Sequence, residues 1–364
     1  MEVTRIVVIG LVIALAVVHY RRTTVDVPDR ASARASRKSG LLPQSRQHTG
    51  RAAPDPELER AAAAAARGSW EPAARLMAET RERGDWARRS ACAAGLGSHR
   101  AARPDSWLHA WEAAAGPDDA DLAVVRAKAL VNLAWQQRGG ARAKHTSAEQ
   151  FAGFHATLAR VPQESARAAE LNPADPIPYV CGIWAALGLG HPEEDMLRIW
   201  KEITTRDPYH FDAHYAALQY WCAKWRGSEE RAMSFAQRAA AEAPVGSLLT
   251  VLPLIAWFEH RHSDARSADF RSPHLVSLVD AALADLAAAP SNHPNAAEVR
   301  HLLAYFLTRQ KRYDAALAQF RLVDGYVGAL PWKYWTDPAE TFYHWRDRAA
   351  RRAPRAPRAR RRPR

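Results

Sequence analysis

The sequence predicts an all-α protein, folded as an α-solenoid of stacked helical hairpins. Three observations carry this expectation. Pro173, Pro208 and Pro244 mark off two successive blocks of 35 and 36 residues, each reading as helix, tight turn, helix. The long Ala-rich, Gly-poor stretches favour helix, because alanine loses no side-chain entropy there. No run alternates apolar and polar residues between turn signals, as a half-buried strand would. A unit of this length leaves an apolar face that only its neighbours cover, so the hairpins stack into a curved array with a concave side.

Four regions follow along the chain. Residues 1–22 are expected to be an N-terminal hydrophobic helix, with Ile6–Val18 free of charge and Val3–Tyr20 spanning eighteen residues. A bilayer crossing takes about 20. The small-residue site Ala31-Ser32-Ala33 lies beyond several charges, too far for a cleaved leader. One basic side chain precedes the segment and six lie within 21–40, so the positive-inside rule orients a single-pass anchor with the solenoid facing the cytoplasm; a cytoplasmic chain is the alternative. Residues 23–55, rich in Arg, Ser, Pro and Gly, are expected to be a disordered linker. Residues 56–345 are the solenoid. Residues 346–364 are expected to be a disordered Arg-rich tail.

Within the body, start and stop signals place the helices. Gly68 closes Pro56–Arg67, Ser69 caps Trp70–Arg83 and Gly84 stops it. Asp85–Ala94 and Ser106–Ala115 follow, then Asp118–Gln137 with Leu122, Val125, Ala129, Leu130, Leu133 and Ala134 on one stripe. Ser147 caps Ala148–Arg160, and Pro162 breaks the chain before Glu164–Leu171. Pro176–Leu189 pairs with Pro192–Arg206, and Phe211–Arg226 with Glu229–Ala243 across Gly227-Ser228. Ser247–His262 pairs with His274–Ala289 across a long polar loop, expected to be the most mobile junction or an embellishment on one edge. Asn295–Arg309 pairs with Tyr313–Val323, and Trp332–Trp345 closes the array.

Asn295–Val323 resembles a tetratricopeptide repeat. Leu303-Ala304 stands where that family has Leu-Gly, Tyr313 at the second-helix aromatic, Ala316 at the small contact and Phe320 at the bulky one. In 209–244, Ala232 takes the small position and Pro244 closes the unit, while the early Trp and Leu-Gly pair are absent. Trp221–Ser228 with Met233 and Phe235-Ala236 is similar to a bacterial helical-repeat domain of unknown function, with Arg226 in place of a Gly. The tetratricopeptide resemblance implies that the first helix of each unit lines the concave face. That carries over to His214, Trp221, Lys224 and Trp225 in one repeat and His301, Tyr305 and Arg309 in the last. Aromatic and basic side chains together suit a groove that holds a peptide.

Charge narrows the partner. The net +12 divides into +9 for 346–364 and +6 for 21–51, leaving the body mildly acidic. A surface that tracks phosphates should itself be basic, so nucleic acid is an unexpected partner for the body. Cys92, Cys181 and Cys222 are too few and too scattered for a disulfide framework. His210 and His214, four apart, with Cys222 two turns on, are the residues that could share a metal, but no His-Glu-x-x-His stands here. No phosphate loop, nucleophile elbow or dinucleotide fingerprint appears. The expectation is a non-enzymatic protein-binding scaffold with no metal and no cofactor, tethered to a membrane through residues 1–22. A metal-dependent enzyme on the same frame and a nucleic-acid binder acting through the Arg-rich tail are the alternatives.

Overall fold

A computed structural model of the chain describes residues 38–139 and 146–353. Among the described residues the protein is all-α, with no strand and one isolated bridge between His48 and Tyr326. The chain divides into two compact units. The larger comprises residues 55–266 and 273–296. The smaller takes residues up to 54, 267–272 and 297 onward.

The larger unit starts with α1 (Pro56–Ala65), α2 (Glu71–Glu82), α3 (Trp86–Leu96) and α4 (Trp107–Ala115). It continues through α5 (Ala120–Arg138), α6 (Ala148–Leu158), α7 (Val161–Leu171), α8 (Ile177–Leu189) and α9 (Glu193–Arg206). Then come α10 (Phe211–Trp221), α11 (Glu229–Glu242), α12 (Leu252–Arg261) and α13 (Pro273–Ala288). Side chains set the starts. Asp55, Asp85, Asp119 and Ser228 accept backbone N–H bonds from the first turns of α1, α3, α5 and α11, and Ser147 with Gln150 closes a capping box on α6. Each such cap is worth about 1 kcal/mol. Pro162 does end the preceding helix, and it sits in the first turn of α7, where its missing N–H costs nothing. Ser69 does not cap α2; Trp70 holds that position, with Pro72 in the first turn.

Packing follows chain order. α5 packs on α6 and α7, α8 on α7, α9 and α10, α10 on α11, and α11 on α12. The helices fall into two kinds. α5, α8 and α10 are buried on most sides, with Leu122, Val125, Leu130, Val180, Ile183 and Leu218 all nearly inaccessible. α9 and α11 bury one stripe each, Met196 and Ile203 in the first, Ala232, Phe235, Ala236 and Ala239 in the second. An apolar surface all round marks an inner helix and a single stripe an outer one. The unit is more than a linear array, because α3 also reaches α8 and α10. Ser90 Oγ–H donates to Asp212 at 2.5 Å, and His210 Nε2–H donates to the Trp86 carbonyl at 3.3 Å.

A buried ion cluster fixes that crossing. Arg89 on α3 has no solvent exposure and meets Asp175, also fully buried, through Nε at 2.5 Å. Its Nη1 lies 2.7 Å from Asp121 on α5 and donates to the Met77 carbonyl of α2 at 2.9 Å. Asp175 also accepts the Ile177 N–H at the start of α8, at 2.8 Å. One arginine therefore ties four helices.

The smaller unit holds α14 (Ala296–Arg309, beginning at the boundary), α15 (Tyr313–Val323) and α16 (Pro338–Arg352) around Phe306, Phe320, Trp332 and Phe342. Three expectations are corrected here. The inner end of the 23–55 linker is pinned: Leu42 N–H donates to Asp324 at 2.5 Å, Arg346 donates to the Leu42 carbonyl at 2.9 Å, and Tyr343 O–H donates to the Gln44 carbonyl at 2.9 Å. The Arg-rich tail does not begin at 346, since α16 continues to Arg352 and Arg346 is buried against Asp324 and Asp347. The polar loop after α12 carries a short turn, Asp269–Arg271, whose Phe270 is fully buried against Tyr305 and Phe306.

The expected single-pass membrane placement is also corrected. Among the described residues no helix is long and apolar enough to cross a membrane. Residues 1–22, on which that expectation rested, and residues 354–364 of the tail lie outside the described residues.

Candidate functional site

The seven residues expected to line a groove divide by burial. His214 is enclosed in the larger unit, its ring packed edge-on to Trp200 with centroids 4.9 Å apart, and its Nδ1–H donates to the His210 carbonyl at 3.0 Å. Burial pushes its pKa down to about 4. Trp221 is buried edge-to-face with Tyr220, and the Arg231 guanidinium covers its ring at 4.9 Å. In the smaller unit, His301 is fully buried: Nε2–H donates to the Ala52 carbonyl at 3.0 Å and Nδ1 accepts the Trp332 indole N–H at 2.9 Å. Burial pushes it down to about 4 as well. Tyr305 is enclosed among Phe270, Trp332 and Trp345. These four are core residues and offer no open surface: His214 packs between Trp200 of α9 and Phe235 of α11, Trp221 lies under Arg231 of α11, and His301 and Tyr305 pack on Trp332.

Lys224, Trp225 and Arg309 keep outward positions. Lys224 is exposed and its ammonium lies 2.6 Å from Glu259, which also accepts a 2.8 Å bond from Gln219. Trp225 stands in the turn after α10, half-buried. There it joins residues that periodicity did not single out. Trp135 near the end of α5 meets Trp225 at 5.4 Å and Trp184 of α8 at 5.9 Å, both nearly perpendicular. Tyr215 of α10 lies 6.2 Å from Trp184. Arg138, one turn beyond Trp135, places its guanidinium 5.3 Å from the Trp225 ring and 5.7 Å from the Trp135 ring. Burial lowers the Arg138 pKa.

Three helices in the larger unit thus contribute to one half-buried aromatic surface with a cation on it. Edge-to-face contacts of this kind are worth about 0.5–1.5 kcal/mol each beyond the area they cover, and they hold the indoles rigid. The Trp135 indole N–H is enclosed with no acceptor among the described residues. Trp135 and Trp184 escaped notice because they are 49 positions apart, off the 35-residue period. The one local signal was the aromatic–arginine pair Trp135 and Arg138 at helical spacing.

The suggested metal ligands do not converge. His210 uses both ring nitrogens, accepting the Ala213 N–H at 3.2 Å and donating to Trp86. Burial pushes the Cys222 thiol up to about 12, so it is protonated at neutral pH and a poor ligand. Among the described residues no group of three or more His, Cys, Asp or Glu is placed to hold a metal ion. Cys92 and Cys181 are likewise buried and pushed up to about 12 and about 11.

An open cleft of about 530 Å³ lies between α2 and α5, floored by Trp111 and edged by Arg75, Arg81, Asp118, Asp119 and Asp121. Its acids are already engaged. Asp119 caps α5 and accepts the Trp111 indole N–H at 3.0 Å, Asp121 is held by Arg81 and Arg89, and Asp118 lies 3.3 Å from Arg167. No family model matches the chain, and no curated protein or solved structure matches it either.

Proposed function

We propose that the chain is a non-catalytic, tetratricopeptide-like helical-repeat scaffold that binds a protein partner through the aromatic surface of its larger unit. One observation carries this reading: Trp135 on α5, Trp184 on α8 and Trp225 in the turn after α10 present half-buried indoles held rigid by mutual edge-to-face contact. Aromatic side chains that are already ordered lose little entropy on binding, which is why Trp and Tyr dominate binding hot spots. Arg138 adds a guanidinium whose faces rest on two of the rings. The order of packing, each inner helix against its outer partner and the next inner helix, supports the repeat architecture. The non-catalytic part rests on chemistry: all three thiols are buried with raised pKa values, and His210 has both nitrogens occupied.

The test is peptide selection on the purified full chain, with each enriched peptide re-measured against Trp184→Ala and Trp225→Ala. Loss of one indole anchor should cost about 2 kcal/mol, near 30-fold in Kd. Peptides that bind both variants as tightly as the parent chain would remove the aromatic surface from consideration.

A further inference from the structure

The smaller unit carries a different feature. Its described residues hold fourteen Lys and Arg against seven Asp and Glu. Several of these cations are committed: Arg346 to Asp324 and Asp347, Lys333 to Glu298 at 3.9 Å, and Arg300 to the Gln319 side chain at 3.0 Å. Two are not. Among the described residues neither Arg309 nor Arg348 forms an ion pair.

Both share one indole. Arg309 of α14 places its guanidinium 5.3 Å from the Trp345 ring, and Arg348 of α16 places its own 5.8 Å from the same ring. Arg309 also lies 3.7 Å over Phe270, and its Nη1–H donates to the Tyr305 hydroxyl at 2.9 Å. A guanidinium laid on aromatic rings is shielded at its faces and keeps its in-plane N–H donors for an oxyanion. Arg348 adds a second sign: its Nε–H is enclosed with no partner among the described residues. An enclosed donor without an acceptor is unfavourable.

We propose that Arg309, Arg348 and Trp345 form a receptor for side-chain carboxylates of an acidic peptide. The planar fork of each arginine matches a carboxylate in two-point contact. Tracking a phosphate backbone takes a row of uncommitted cations, whereas the two gathered on Trp345 are a local pair and Arg346, close in sequence, is already held by Asp324 and Asp347, which favours a local acidic segment over a nucleic acid. The site uses none of the residues of the aromatic surface in the larger unit, so the two readings stand or fall separately.

The experiment is fluorescence anisotropy of a labelled hexaglutamate peptide titrated with the full chain at low and raised salt, with a single-stranded oligonucleotide as competitor. Arg309→Gln and Arg348→Gln should each weaken binding about tenfold or more, as loss of a charge-assisted contact does. Arg309→Lys, which keeps the charge and loses the fork, should also weaken it. Arg321→Gln, an exposed arginine of α15, should change nothing, and Trp184→Ala should leave this binding intact. Thermal midpoints of the variants establish that each is folded. Absence of hexaglutamate binding, equal weakening by Arg321→Gln, or an oligonucleotide that binds through Arg309 and Arg348 where the peptide does not, would overturn the proposal.

Discussion

Arg89→Met should be among the most destabilising single changes in the larger unit. The substitution keeps the volume of the side chain and removes the charge that faces Asp175, which has no solvent exposure. Asp121 retains Arg81 at 3.2 Å, so the loss falls on Asp175, which keeps the Ile177 N–H at 2.8 Å. Removing one member of a buried ion pair costs about 3–5 kcal/mol, because the remaining charge stays desolvated. The Met77 carbonyl also loses a donor, worth about 1 kcal/mol. Arg89 Nη2 is enclosed without an acceptor, and its removal returns part of that amount. The net expectation is about 4 kcal/mol, a large share of the 5–15 kcal/mol that holds a typical domain.

A second substitution isolates the cause. Asp175→Asn keeps an oxygen that can accept the Ile177 N–H and removes the stranded charge. Added to Arg89→Met, it should restore about 2 kcal/mol. Burial already raises the Asp175 pKa despite Arg89 beside it. Without Arg89 the carboxyl in the folded state holds its proton above its unfolded pKa. Stability is then lost as pH rises, and the deficit of the single variant should grow as pH rises above the ordinary carboxylate value of 3.8. Urea unfolding followed by far-UV circular dichroism, with hydrogen exchange on α3, α5 and α8, reads all three quantities. A deficit under about 1 kcal/mol, or an Asp175→Asn change that adds to the damage, would refute the reasoning.

Two further predictions concern pH and backbone. His214 and His301, both pushed down to about 4 by burial, should contribute stability in full above about pH 6.5 that is lost as pH falls toward about 4. The loss should reach roughly 3 kcal/mol per histidine, and His301→Gln, which can keep both hydrogen bonds, should flatten its share of the slope of urea midpoint against pH. Gly227→Ala should cost about 1–3 kcal/mol in thermal or urea unfolding, since a Cβ there would collide with the Trp221 carbonyl backbone. Gly153→Ala in α6, where a Cβ meets only the Gln137 side chain at 3.7 Å, should stabilise by about 0.5–1 kcal/mol.

Helix positions were legible because their signals are local. The capping box at Ser147, the proline that begins α7 and the left-handed Gly190 that ends α8 at φ 75° act within one turn of chain. Where the reading slipped, a distant contact intervened. α10 was expected to run to Arg226 but stops at Trp221, because the chain folds back and Arg226 N–H donates to the Tyr220 carbonyl at 3.2 Å. Gly227 serves that close approach, with no positive φ among the backbone features of the turn. His214 and His301 looked like surface residues by type, yet each lies on a helix flanked by apolar positions, and that pattern reported their burial better than their chemistry did. The composition of 23–55 could not disclose that Leu42 and Gln44 meet α16 some three hundred residues later.

Charge shows the same lesson with a functional consequence. Averaged over 52–345, the body is mildly acidic, and that average argued against a polyanionic partner. The smaller unit is assembled from separate stretches of chain, and most of its excess positive charge comes from residues outside 52–345. The described part of the larger unit has twenty-three Lys and Arg against twenty-nine Asp and Glu, while the smaller unit is basic. The argument from charge therefore holds for the larger unit alone. In the smaller unit the deciding quantity is local, namely which cations already have a carboxylate. Arg346 and Lys333 do, and their charge is largely cancelled at short range. Arg309 and Arg348 do not, and both rest on Trp345. A net charge describes long-range attraction, whereas two unneutralised guanidinium groups on one indole describe a place where an anion can stop.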